Sequence, residues 1–258
     1  MPSPTPEELR RIAVEVATDA AAFVATERAR GLATGSTDTK STPTDMVTVV
    51  DKASEARIVA ALHARRPEDG VMAEEGSTAA SRTGITWVID PIDGTTNFVY
   101  GYPATAVSIA AVGDDGASIA GAVVDIGRRE VFSAARRGGA FRDDERLTLP
   151  EGPADLSRTL VGTGFSYSPE RRVEQASLLA RILPVIRDIR RGGSAALDLC
   201  WAAAGRTDAY YERGTAPWDR AAGLLVAHES GLQGGVVDDL VWVAHPRIAD
   251  ELLALIMR

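Results

Sequence analysis

The sequence predicts an α/β (α+β) protein, and two stretches of the chain carry that prediction. Between Ala104 and Leu149, three apolar runs separated by turns rich in glycine and charge predict a β-meander. Beyond a boundary rich in proline and glycine at Glu151–Asp155, short apolar runs alternate with helical patterns, as in α/β proteins. At 258 residues the chain suits one compact domain over residues 1–258.

The first part of the chain begins with a helix. Thr5, Pro6 and Glu8 form a start signal with an N-cap and a capping box, and the apolar residues that follow recur at helical spacing as far as about Gly31. The polar stretch from Gly31 to Thr44 predicts a loop or two ragged strands. We expect a strand over Met46–Val50, with Asp51 capping a helix that passes His63 and stops before Pro67.

The second part alternates strands and helices. The pattern predicts the following elements: strand Thr159–Val161, helix Pro169–Leu183, strand Val185–Ile189, a helix opened by Gly192-Gly193-Ser194, strand Ala209–Glu212, and a helix from Pro217 to Ser230 closed by Gly231.

Composition excludes several classes of protein. The net charge of −8 argues against nonspecific nucleic-acid binding and suits a protein that collects cations. One cysteine, Cys200, excludes a disulfide framework, and the three scattered histidines exclude a zinc cluster. Neither a signal-peptide pattern nor a bilayer-length apolar run is present, so we expect a cytoplasmic protein that makes no contact with a membrane.

The most informative stretch is WVIDPIDGTTNF, which runs from Trp87 to Phe98. It predicts a buried strand that stops at Pro91, followed by a polar turn. Carboxylates at Asp90 and Asp93 suit hard divalent cations, and a turn at Gly94 would direct backbone N–H groups at an anion. Metals beside an anion site indicate phosphate chemistry, although Asp-Pro and Asp-Gly are also common in purely structural turns.

The string DPIDGTTNF, Asp90–Phe98, resembles the signature of the inositol monophosphatase family of magnesium-dependent, lithium-sensitive phosphatases. Other segments resemble the family in the same order: Lys40 followed by DMVT and Asp51, the glutamate at Glu74, the turn before Ala195, the strand that ends in Glu212, and PWD at Asp219. The GLQGG run near the C-terminus departs from the family pattern. The resemblance implies a layered αβαβα fold, a homodimer, and a site formed by residues 1–150 and closed by residues 151–258.

The resemblance also implies roles for individual residues. Two or three Mg²⁺ ions would bind the following ligands: Glu74, Asp90, the carbonyl of Ile92, Asp93 and Asp219. The catalytic set would be Thr95, Asp51 and Glu74, with the Thr95 hydroxyl either accepting a proton from the attacking water or, as we favour, aiming that water. A phosphorylated polyol would contact the following residues: Asp93, Gly94, Thr95, Gly193, Ser194, Ala195, Glu212, Asp219 and, from its loop, Lys40.

Structural explanations exist for several of these residues. Lys40 fits a solvated loop, Asp51 a helix cap, Glu212 a strand end and Asp219 the favourable interaction of an acid with a helix dipole. We expect inositol monophosphate, in particular myo-inositol 1-phosphate, to be the substrate. Other candidates are histidinol phosphate, fructose 1,6-bisphosphate and 3′-phosphoadenosine nucleotides, and a different class is a protein that binds the transcription machinery.

Overall fold

The computed structural model describes residues 4–31, 37–39, 46–149 and 151–257. The helices in this part of the chain are α1 Pro6–Ala29, α2 Val49–Arg65, α3 Thr95–Tyr100, α4 Pro169–Ile182, α5 Ala195–Ala203, α6 Pro217–Ser230 and α7 Ala249–Ile256. The strands are β1 Thr37–Thr39, β2 Met46–Thr48, β3 Gly70–Ala73, β4 Thr78–Ala79, β5 Ile85–Asp93, β6 Ala106–Gly113, β7 Ser118–Asp125, β8 Glu130–Ala135, β9 Gly139–Arg142, β10 Glu145–Arg146, β11 Leu160–Thr163, β12 Asp188–Arg190, β13 Ala209–Arg213, β14 Gln233–Val237 and β15 Leu240–Ala244. None of the described helices is long and apolar enough to cross a bilayer.

Two mixed sheets dominate the structure. The larger has the strand order β10-β9-β8-β7-β6-β5-β3-β4, in which β5 runs parallel to β3 and antiparallel to β6. The smaller has the order β12-β11-β13-β15-β14, in which β11 runs parallel to both of its neighbours. The predicted meander is therefore confirmed as the antiparallel run from β6 to β10.

Side chains that point alternately to the two faces of each strand explain how helices pack on both sides of these sheets. On β6, Val107 and Ile109 pack into a core with α1 and α2, whereas Ala106 and Ala110 pack into a core with α5 and α6. On β13, Tyr210 faces the second core and Tyr211 faces a third core, formed with α4 and α7. The order of layers is helix, sheet, helix, sheet, helix, which confirms the αβαβα arrangement.

The predicted boundaries hold at α1 but not at two later strands. Thr5 and Glu8 form the reciprocal hydrogen bonds of a capping box at the start of α1. The expected strand Met46–Val50 is shorter, because the chain enters α2 at Val49 and buries Val50 in the core. The strand expected at Val185–Ile189 instead covers Asp188–Arg190, and Val185 is exposed.

Candidate active site

The carboxyl end of β5 lies at the edge of a cavity of about 320 Å³. The starts of α3, α5 and α6 meet β5 there, so three helix beginnings and one strand end surround the same space. Five acidic residues line it: Glu74, Asp90, Asp93, Glu212 and Asp219.

Strand β5 does not stop at Pro91, as the sequence suggested, but continues to Asp93. The pairing with β6 shifts register between Asp90 and Asp93, so Pro91 lies at an irregularity where a missing N–H costs no regular ladder bond. The Ile92 N–H donates to Asp90 Oδ1 at 3.0 Å, which fixes that carboxylate across the irregularity. Both aspartates are buried and line the cavity.

The beginning of α5 holds Asp93 from the other half of the chain. Its Oδ2 accepts a hydrogen bond from Ser194 Oγ at 2.6 Å and one from the Ala196 N–H at 2.7 Å. Ser194 also caps α5, since its Oγ accepts from the Leu197 N–H. Of the three residues predicted to meet the polyol here, Gly193 and Ala195 line the cavity, whereas the buried Ser194 side chain lies behind Asp93 and orients it.

Helix α3 begins with the Thr95 hydroxyl held between two acceptors. Thr95 Oγ1 lies 3.0 Å from Asp51 Oδ1 and 3.1 Å from the Ile92 carbonyl oxygen. The expected capping role of Asp51 is wrong, because Asp51 is the third residue of α2 and its fully buried side chain points at α3. Gly94 precedes α3 with φ of +90°, and a Cβ there would approach the Ala104 carbonyl oxygen to 2.9 Å, so the turn requires glycine.

Two of the three remaining acids, Glu74 and Asp219, belong to segments that are also held by hydrogen bonds. Glu74 follows β3, and its N–H donates to the Ile89 carbonyl at 3.2 Å. The next turn is fixed by the buried Glu55 of α2, whose carboxylate accepts from the N–H groups of Glu75 and Ser77. Asp219 accepts from the Ala216 N–H at 2.6 Å, in the first turn of α6.

Burial and crowding shift the acid equilibria in the cavity. Burial raises the pKa of Asp90 well above its ordinary value, and repulsion from Glu74 and Asp93 adds to the shift. Burial raises the pKa of Asp93 to about 7, although its hydrogen bonds oppose the change. Burial and then repulsion from Asp93 raise the pKa of Asp219. The cavity thus concentrates acids whose charged forms are costly unless a cation neutralises them.

The donor atoms fit a hard divalent cation. Across the described residues, no three His, Cys, Asp or Glu side chains already have the mutual spacing of a metal-binding group. The acids nevertheless share one cavity, and their donor atoms are all oxygen, which is what Mg²⁺ prefers. A cation among them would offset both their burial and their repulsion. Coordination would therefore draw these side chains closer together.

Sequence reasoning missed several residues that line the cavity. They are Phe165, Tyr167, Arg191, Gly214, Ala216 and Trp218. Arg191 is the one basic side chain among the described residues that line this cavity. Trp218 had a signal, since it lies within PWD, whereas Phe165, Tyr167 and Arg191 come from irregular segments without a pattern. Lys40 lies outside the described residues.

Comparisons with known proteins relate both the sequence and the fold to one family. The sequence profile of the inositol monophosphatase family matches residues 5–241. Inositol-1-monophosphatase SuhB of Mycobacterium tuberculosis is 48% identical over 280 aligned positions, which cover 100% of this chain and 96% of that protein. The solved structure of Mycobacterium tuberculosis SuhB has a TM-score of 0.87 at 47% identity, covering 99% of this chain and 98% of that one.

Another relative has a different name. Nus factor SuhB of Pasteurella multocida is 41% identical over 219 residues, which cover 81% of each protein. The family profile spans almost the whole chain, and the phosphatases of this family are generally metal-dependent and act on phosphorylated polyols. This chain is therefore a phosphatase, and it belongs to the inositol monophosphatase family.

Proposed function

We propose that this protein is a Mg²⁺-dependent phosphomonoesterase that hydrolyses myo-inositol 1-phosphate to inositol and phosphate. The observation that carries the proposal is the acidic cavity at the end of β5, which Asp90 and Asp93 line together with the start of α3 and with Asp219. A phosphatase needs cations and anion donors in one place, and this cavity offers ligands for the cations next to a helix start.

The metal ligands in this proposal are the carboxylates of Glu74, Asp90, Asp93 and Asp219 with the carbonyl of Ile92, and all five residues line the cavity. Two or three bound Mg²⁺ ions would activate the attacking water and neutralise the charge that develops on the leaving oxygen. Hydrogen bonds from the backbone to Asp90 and Asp219 fix one oxygen of each carboxylate and so set its direction.

Thr95 and Asp51 orient the attacking water. The Thr95 hydroxyl donates to Asp51, so its lone pairs remain available to accept a hydrogen bond from water. We propose that Thr95 aims this water rather than taking its proton, because an alcohol is a weak base. The Gly94 and Thr95 amides, at the first turn of α3, are proposed to donate to the phosphate oxygens.

Glu212, Gly193 and Ala195 are the proposed contacts of the polyol. Glu212 of β13 lines the cavity, and a carboxylate there can accept hydrogen bonds from several ring hydroxyls. Like charges repel, so the same carboxylate disfavours a second phosphate. The proposal therefore ranks inositol monophosphates above fructose 1,6-bisphosphate and places nucleotide bisphosphates last.

The direct test is phosphate release from each of these esters, with and without Mg²⁺. We expect the highest kcat/KM for myo-inositol 1-phosphate and little release after chelation. A protein that releases phosphate equally well with a chelator present would contradict the metal assignment.

Histidinol phosphate requires a separate test, because Glu212 would also attract its ammonium group. In Glu212→Gln the amide still accepts hydrogen bonds from hydroxyls but carries no charge. Activity on inositol phosphate should fall modestly, whereas activity on histidinol phosphate should collapse. If the wild-type protein prefers histidinol phosphate by kcat/KM and the variant loses that preference, histidinol phosphate replaces inositol phosphate as the substrate.

Three further properties belong to the proposal, the first two because the family resemblance implies them and the third because the sequence pattern predicts it. They are uncompetitive inhibition by Li⁺, a homodimer, and a cytoplasmic location. Inhibition kinetics with Li⁺, sedimentation and cell fractionation test them one by one. Competition between Li⁺ and substrate would remove the lithium analogy and leave the proposed reaction intact.

A second candidate function is binding to the transcription machinery. It is favoured by the similarity to a relative named Nus factor SuhB over 81% of this chain. Pulldown of the tagged protein from lysate, compared with Asp93→Asn, tests it. Recovery of RNA polymerase subunits with both variants would show a second role that is independent of phosphatase activity.

A further inference from the structure

The Glu212 carboxylate receives a hydrogen bond that the proposed reaction does not explain. Tyr210 Oη donates to Glu212 Oε2 at 2.6 Å. The two residues are two positions apart on β13, so their side chains emerge on the same face of the strand. Tyr210 is fully buried, and burial raises the pKa of its phenol well above the ordinary value, so it stays protonated and acts as the donor.

The neighbouring strand leaves space for this pair. Gly162 of β11 lies opposite Tyr210, and a Cβ on Gly162 would come 3.2 Å from the Tyr210 ring. Gly164, two residues on, lies against Glu212, and a Cβ there would come 1.8 Å from the same Oε2 that Tyr210 contacts. Any side chain at position 164 would therefore displace the carboxylate.

These contacts fix Glu212 from two sides. Tyr210 supplies the bond that holds one oxygen, and the missing side chain at Gly164 leaves the space that the carboxylate occupies. A carboxylate with one oxygen held in this way presents the other at a defined place, which is what discrimination between polyol esters needs.

We propose that Tyr210 is the positioning residue that directs the Glu212 carboxylate at the hydroxyl groups of the substrate. Gly164 takes part by leaving room for that carboxylate. Tyr210 is buried behind Glu212 and acts only through it. The inference rests on the proposed function, since it takes Glu212 to be the polyol contact.

The test compares two esters in three variants. Tyr210→Phe removes only the hydroxyl, and Gly164→Ala displaces the carboxylate. Tyr211→Phe is the matched control, because Tyr211 is the adjacent buried tyrosine but faces the core shared with α4 and α7. The substrates are myo-inositol 1-phosphate and phenyl phosphate, which lacks ring hydroxyls.

We expect Tyr210→Phe and Gly164→Ala to lower kcat/KM for myo-inositol 1-phosphate by about tenfold, mainly through KM. Phenyl phosphate should change by less than about twofold, and Tyr211→Phe should leave both esters unaffected. In a Glu212→Ala background, which leaves no carboxylate for Tyr210 to orient, Tyr210→Phe should have almost no further effect on inositol phosphate.

The failures are distinguishable. Equal losses on both esters, or full additivity with Glu212→Ala, would show that Tyr210 serves only the fold and would overturn the inference. A wild-type protein that hydrolyses phenyl phosphate but not myo-inositol 1-phosphate would overturn the proposed function, and the inference with it.

Discussion

At the scale of single residues, backbone hydrogen bonds fix the positions of three acidic side chains in the cavity. Asp90, Asp93 and Asp219 each accept a hydrogen bond from a backbone N–H within 3.0 Å. Such bonds favour the charged form of a carboxylate, while burial opposes it. The hydrogen bonds therefore fix the directions of these carboxylates, whereas burial leaves their negative charge in need of a cation bound in the cavity.

Thr95 is the residue whose hydroxyl should matter most to the chemical step. Thr95→Ala removes the oxygen that lies 3.0 Å from Asp51 and keeps the backbone amide. We expect kcat to fall by about a hundredfold with little change in KM, as for an interaction made mainly in the transition state. Steady-state kinetics at saturating Mg²⁺ measures both constants.

Thr96 provides the control for that measurement. Its buried hydroxyl has no hydrogen-bond partner within the described structure, and it does not line the cavity. Thr96→Ala should leave kcat nearly unchanged. An unaltered kcat in Thr95→Ala, or an equal fall in both variants, would remove Thr95 from the reaction.

At the scale of elements, α2 supports the loop that carries Glu74. The Glu55 carboxylate accepts from Glu75 N–H at 2.6 Å and from Ser77 N–H at 2.9 Å, so one buried side chain holds both sides of the turn. Sequence patterns place Glu55 on a helix but give no reason to connect it with the loop after β3.

Glu55→Ala should therefore weaken metal binding without touching a ligand. We expect a loss of about 1–3 kcal/mol in the free energy of unfolding, since two backbone donors lose their acceptor, and a higher Mg²⁺ concentration for half-maximal activity. Denaturant unfolding and a Mg²⁺ titration measure these effects.

The matched control lies on the same helix. Arg57 forms an exposed ion pair with Asp19, and such pairs contribute about 0–1 kcal/mol. Arg57→Ala should leave the Mg²⁺ requirement unchanged. If Glu55→Ala loses stability but keeps the wild-type Mg²⁺ requirement, the loop does not position Glu74 for metal binding.

The sequence predicted the elements better than it predicted how they meet. Periodicity located α1, the meander and α6 within a few residues because each buries one regular face. It failed where an apolar run fits either a strand or a helix. Val49 and Val50 continue the apolar run of the predicted strand, but they are the first two residues of α2. Asp90 and Asp93 of the family motif line the cavity, and so does Arg191, which no sequence pattern connects with them.

At the scale of the whole molecule, the acid cluster should make stability depend on pH. Burial raises the pKa of Asp93 from 3.8 to about 7, and the pKa values of Asp90 and Asp219 shift in the same direction. Between pH 3.8 and about pH 7 the folded protein therefore binds more protons than the unfolded chain, so the free energy of unfolding falls as pH rises. In EDTA, Tm should decrease from about pH 5 to about pH 8 by roughly 2–4 °C for each kcal/mol lost.

Two comparisons test this cause. Saturating Mg²⁺ binds the folded state and should flatten the decrease at the higher pH values. Asp93→Asn removes one of the acids, so its Tm in EDTA near pH 8 should exceed that of the wild type, while its activity should be lost. A wild-type Tm that rises across this range in EDTA would contradict the raised pKa values.

The bonds that join the two halves also set the order in which the site can appear during synthesis. Asp93 receives its donors from Ser194 and Ala196, and the Asn97 amide bridges the carbonyl oxygens of Ala104 and Gly192. A ribosome must therefore add about a hundred more residues after Asp93 before that aspartate can be fixed, and Asp219 emerges later still. The phosphatase cavity is consequently among the last parts of the newborn chain to mature.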